Sequence, residues 1–69
     1  MIFVFRTSVR TKTQMRKLKP YLDSTLPKAD WNFDLTDRDR ILRIDSEENV
    51  VPKTIDLLKI HSFDCEELE

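Results

Sequence analysis

Two places in this 69-residue chain hold side chains whose type and spacing could do chemistry. The first is Thr11 and Gln14, three apart, where the apolar run Ile2-Phe3-Val4-Phe5 gives way to a helical pattern near Lys12. A helix N-terminus carries unpaired N–H groups and a partial positive charge, so it is where a small βα unit would grip a ligand. A hydroxyl and an amide stand there, with no thiol, imidazole or carboxylate. Ser/Thr-x-x-Glu/Gln is the spacing of a capping box, in which each side chain accepts a bond from the other residue's backbone N–H. The pair is therefore expected to close the helix end itself. The second place is His61 and Cys65, the chain's one histidine and one cysteine. They are four apart but straddle an expected helix end and an expected strand, so helical geometry does not bring them together. Cys65 reads as a small buried hydrophobe. His61 reads as a helix C-terminal residue favoured by the dipole. Glu66, Glu67 and Glu69 could add oxygen ligands, but they read first as solvated acids.

Catalysis has less support. A nucleophile needs an adjacent base. The histidine is far along the chain from Ser8 and Thr11, and no acid is placed to orient it. The chain reads as a non-enzyme without a cofactor. It also contains no glycine, which excludes a phosphate cradle of the P-loop or dinucleotide type.

Composition sets the frame for these residues. Sixty-nine residues make one small domain, with residues 1–69 as its extent. With 39% hydrophobic and 36% charged residues the chain is a globular type, not a disordered one. One cysteine cannot form an internal disulfide, so packing or a partner must supply the stability. The apolar run at the N-terminus stops at Arg6 and is too short for a signal core or a membrane span. A cytoplasmic protein without a membrane segment is expected. The net charge of −1 conceals a split. Residues 1–29 carry seven cations (Arg6, Arg10, Lys12, Arg16, Lys17, Lys19, Lys28) against Asp23 alone, a balance of +6. Residues 30–69 carry five cations and twelve carboxylates, a balance of −7. Either the two faces attract each other within one fold, or the basic face steers an acidic partner.

The elements that must position these groups follow from periodicity. Ile2–Thr7 is rich in β-branched and aromatic residues and reads as a strand. Met15, Leu18 and Leu22 recur at helical spacing, with Arg16, Lys17 and Lys19 outward, so a helix is expected from Lys12 to Ser24. Pro20 removes one of its hydrogen bonds and should kink it or loosen its last turn. Trp31, Phe33 and Leu35 alternate with polar residues, giving a second strand. Thr36-Asp37-Arg38-Asp39 reads as a turn, and Ile41–Asp45 as a third strand, with Leu42 and Ile44 on one face. Asn49 is the expected N-cap of a second helix, with Pro52 at its third position. Val51, Ile55 and Leu58 are its inner stripe, with Thr54 beside it, and it ends near Ile60 or His61, with Ser62 where glycine is usual. Phe63–Glu67 is the last strand.

The order βαββαβ, with right-handed crossovers, places both helices on one face of a four-stranded antiparallel sheet. That is the α+β, ferredoxin-like sandwich. The expected core is Phe5, Val9, Met15, Leu18, Leu22, Trp31, Phe33, Leu42, Ile44, Ile55, Leu58 and Phe63. Phe3 and Phe5 share one face of the first strand, Ile2 and Val4 the other, and the pattern does not say which face is covered. An RNA-binding sheet would need aromatics on the open face, and the acidic second half argues against nucleic acid.

The stretch from Phe5 to Leu22 resembles the start of heavy-metal-associated (HMA) domains, the βαββαβ modules of copper chaperones and P-type ATPase N-termini. Their pattern is an apolar residue, any residue, Cys-x-x-Cys, then apolar positions one, four and eight after the second Cys. Val9 fills the leading position; Met15, Leu18 and Leu22 fill the others. Trp31-x-Phe33-Asp34-Leu35, Ile41-Leu42-Arg43-Ile44 and Ser62-Phe63 are similar to the family's later strands and C-terminal Gly-Tyr/Phe. Some bacterial members also carry a proline in this helix, as at Pro20. The resemblance implies the ferredoxin-like fold across nearly the whole chain.

In that family two thiolates at a helix N-terminus bind Cu(I) or Zn(II). The cysteine positions here are Thr11 and Gln14, which offer neither charge nor softness, so metal transfer by the family's route is not expected. What the resemblance then implies is a metal-independent interaction module. Lys12, Arg16, Lys17 and Lys19 would be presented to an acidic protein or to a second copy. The other expectation is a divergent copper or zinc carrier using Cys65 with His61, or a dimeric site that pools two Cys65 thiols.

Overall fold

The computed structural model describes residues 1–34, 36 and 40–68. Leu35 and Glu69, and Asp37, Arg38 and Asp39 of the expected turn, lie outside the described residues. The elements run β1 (Ile2–Thr7), α1 (Lys12–Thr25), β2 (Asp30–Asp34), β3 (Ile41–Asp45), α2 (Val51–Ile60) and β4 (Cys65–Leu68). The four strands form one sheet in the order β2-β3-β1-β4, with every neighbouring pair antiparallel. This is the ferredoxin-like arrangement.

The register decides which face of β1 is covered. Phe5 lies opposite Leu42 and Phe3 opposite Ile44, while Phe33 and Trp31 face the same two residues from β2. Leu18 and Leu22 of α1 and Leu57 and Leu58 of α2 join Phe5, Phe33, Leu42 and Ile44 in one buried cluster. Both helices therefore seal the Phe3/Phe5 face. Ile2, Val4, Arg6, Asn32, Arg43 and Glu66 fall on the other face by the alternation of the pleat. The aromatic residues of β1 are thus turned away from the open face.

Eight of the expected core residues are buried: Phe5, Val9, Leu18, Leu22, Phe33, Leu42, Ile44 and Leu58. Met15, Trp31, Ile55 and Phe63 are only half-buried and pack against that cluster. Leu26, Ile41, Val50 and Leu57 are buried although the pattern did not single them out. The stripe of α2 is rotated from the expected one. Val50, Thr54, Leu57 and Leu58 point inward, whereas Val51 and Ile55 are half-buried. Thr54 holds an interior position, and an apolar-spacing argument does not count a threonine as apolar.

Three boundaries also move. The N-cap of α2 is Val50, not Asn49, and Pro52 is the second helical residue rather than the third. Asn49 still contributes, because its Oδ1 accepts from the Val51 N–H at 3.1 Å. Helix α1 runs unbroken through Pro20 to Thr25, one residue beyond the expected end. Pro20 is exposed, so water can satisfy the Arg16 carbonyl that lacks its usual donor. Strand β4 starts at Cys65 rather than Phe63 because Phe63 closes α2. Its N–H reaches the Leu58 carbonyl at 2.8 Å, and the Ser62 N–H reaches the Lys59 carbonyl at 3.0 Å. This is a Schellman ending, with Ser62 in the left-handed region at φ 68.

Candidate functional site

Helix α1 begins where β1 finishes, and its first turn forms the expected capping box. The Gln14 N–H donates to Thr11 Oγ1 at 3.1 Å. The Thr11 N–H donates to Gln14 Oε1 at 3.2 Å, and the Arg10 N–H donates to the same oxygen at 2.8 Å. Three backbone donors that could have faced a ligand are spent on two side chains of the chain itself.

The second candidate group is divided. His61 is the C-cap of α2, and its ring lies 4.3 Å from that of Tyr21 on α1, inclined at 44°. Cys65 lies opposite Thr7 at the start of β4 and packs against the core. The loop between them is tied to the end of β1: the Asp64 N–H donates to Ser8 Oγ at 2.8 Å, and the Ser8 N–H to the Asp64 carbonyl at 3.1 Å. Among the described residues no group of three or more His, Cys, Asp or Glu side chains is placed to hold a metal ion.

Burial pushes the Cys65 thiol up to about 11 from 9.0, against a smaller downward pull from Lys59. Near pH 8 such a shift leaves about a hundredfold less thiolate than an unperturbed cysteine holds. Alkylation of the native protein by iodoacetamide should accordingly be slower than in denaturant by about that factor. The native rate should keep climbing toward pH 11, after the unfolded one has levelled. Because the folded value lies above the unfolded one, the associated stability is complete below pH 9 and is lost as pH rises through about 11. Equal native and denatured rates at pH 8 would show that the thiol is not desolvated.

The remaining site residues are Lys12, Arg16, Lys17 and Lys19 of α1, and all four are exposed. Among the described residues none of them has an ion-pair partner, whereas the Met1 ammonium pairs with Asp45 at 3.5 Å and Arg43 with Asp34 at 3.8 Å. The first turn of α1 holds no acid and its last turn no base, the reverse of what the helix dipole favours. Lys12 and Arg16 are four apart and Arg16 and Lys19 three apart, like-charge spacings that each cost an isolated helix about 0.2–0.5 kcal/mol. These cations stand where they weaken their own helix, and among the described residues no carboxylate lies within ion-pair distance of them. Sequence spacing placed them on the outer face; the three-dimensional arrangement adds that the described acidic residues form no ion pair with them.

No helix among the described residues is long and apolar enough to cross a membrane. No family model, curated protein or solved structure matches the chain.

Proposed function

We propose that this chain is a small non-catalytic binding module of the heavy-metal-associated type, which docks an acidic protein surface on α1 without metal. The observation that carries the reading is the row Lys12, Arg16, Lys17 and Lys19, exposed on one helix and without an ion-pair partner among the described residues. Charges placed at a cost to the fold are explained by what they do outside it. The capping box supports the same reading, since Thr11 and Gln14 consume the donors at the place where the resembled family holds its metal. The docking is electrostatic, so it weakens with salt and affects encounter rate strongly.

The test is a titration of a labelled oligoglutamate peptide at low salt, read by fluorescence anisotropy. Wild type is expected to bind it. The Arg16→Glu/Lys17→Glu protein, shown by its melting curve to be folded, is expected to bind about tenfold or more weakly. Equal affinity in the two proteins would remove α1 from the interface.

A further inference from the structure

The acidic counterpart of α1 is present on this molecule, in the loops at the end of the sheet where α1 finishes. Asp45 finishes β3 beside Ile2, the first residue of β1, and Asp30 opens β2 directly across from Asp45. Glu47 and Glu48 follow in the next loop. Together with Ser46 and Lys28 these side chains line a depression of about 300 Å³. Asp30, Asp45, Glu47 and Glu48 are all exposed. Like charges directly opposite on neighbouring strands are destabilising. Among the described residues the Met1 ammonium is the ion-pair partner of Asp45, and Asp30 has none. The acidic end thus shows a related signature: carboxylates set close together, of which only Asp45 has an ion-pair partner among the described residues.

We infer that the acidic surface docked by α1 is this depression on a second copy of the same chain, giving head-to-tail association. The inference rests on the reading of α1 given above and names its partner. Within one copy no ion pair joins the two patches among the described residues. β1 spans six residues, roughly 20 Å of strand, and α1 begins beyond its far end. Lys12, at that far end, lies beyond the screening length of about 8 Å at physiological ionic strength, while Arg16, Lys17 and Lys19 lie progressively nearer the acidic end along α1. Between copies they meet at contact distance. The four cations of α1 face the four carboxylates Asp30, Asp45, Glu47 and Glu48. The two surfaces are different, so the contact is heterologous and extends into chains unless the rotation closes a ring.

The experiment is sedimentation of the intact protein across a concentration series at low and high salt. At low salt the mass is expected to rise above 8.3 kDa with concentration, and high salt is expected to return it to the monomer. Arg16→Glu/Lys17→Glu and Glu47→Lys/Glu48→Lys proteins should each be monomeric alone, because each has lost the net charge of one of the two complementary surfaces. An equimolar mixture of the two should associate again. A wild-type monomer at every concentration would overturn the inference, as would variants that still associate singly or a mixture that stays monomeric. The oligoglutamate titration separates the two levels. Peptide binding by a strictly monomeric wild type keeps α1 as a docking face and rejects the second copy as its partner. Loss of both rejects both.

Discussion

Leu18→Ala is expected to destabilise the protein by about 2–5 kcal/mol. Leu18 is 1% exposed and projects from α1 into the cluster formed by Phe5, Leu42 and Ile44. Its truncation removes the transfer energy of the lost methyls and leaves a cavity between helix and sheet that the surrounding structure closes only in part. A chain of this length is held by roughly 3–10 kcal/mol in total. At roughly 4–8 °C per kcal/mol, the melting temperature should fall by tens of degrees or the protein should fail to fold. Urea unfolding followed by far-UV circular dichroism measures the loss. Lys17→Ala on the exposed side of the same helix is the control and should stay within about 0.5 kcal/mol of wild type. A cost below about 1 kcal/mol for Leu18→Ala would mean that α1 is not sealed on the sheet at this position.

The two buried threonines are expected to respond with opposite sign to the same substitution. Thr7 is 6% exposed and its hydroxyl is used twice. It donates to the Arg40 carbonyl at 2.8 Å and accepts from the Val9 N–H at 3.3 Å. The Arg40 carbonyl also receives the Thr7 N–H at 3.2 Å. These bonds hold Arg40 at φ 53, a left-handed conformation that costs a residue with a Cβ about 1 kcal/mol. Thr7→Val strands the N–H of fully buried Val9 and loosens the entry to β3, for an expected loss of about 1–3 kcal/mol. Thr54 is fully buried in α2, and its hydroxyl has no hydrogen-bond partner. Thr54→Val keeps the shape and removes a desolvated polar atom, for an expected gain of about 1 kcal/mol. Paired thermal and urea melts decide the matter. Two shifts of the same sign would show that one of the hydroxyls is bonded differently from this account.

Much of the fold was legible because local signals agreed with one another. The 3.6-residue spacing of Met15, Leu18 and Leu22, the capping box at Thr11 and Gln14, and the alternation at Trp31 and Phe33 each specify one element. Their order then leaves few topologies open. The stripe of α2 was not legible, because its inward positions include Thr54 and the cap residue Val50. Hydropathy gives a hydroxyl no inward preference; burial of Thr54 follows from where α2 must lie to cover Leu42 and Ile44. The end of α2 was legible, at Ile60 with Ser62 just beyond it, but the start of β4 was not and lies two residues later than expected. Phe63 resembles a strand residue locally, and its backbone donor was committed to Leu58 only once the left-handed turn at Ser62 formed.

By itself the sequence determined the element order, the closed N-terminus of α1, the lack of a glycine phosphate cradle, and the existence of two oppositely charged halves. These depend on residue types and spacings a few positions apart, which the chain states directly. Tertiary structure alone decided two further things: that Phe3 and Phe5 face the helices, and that His61 pairs with Tyr21 while Cys65 joins the sheet beside Thr7. Each depends on strands brought side by side from distant parts of the chain. Both faces of β1 are apolar, so the alternation of the pleat was satisfied either way until the crossovers placed α1 and α2 on one side.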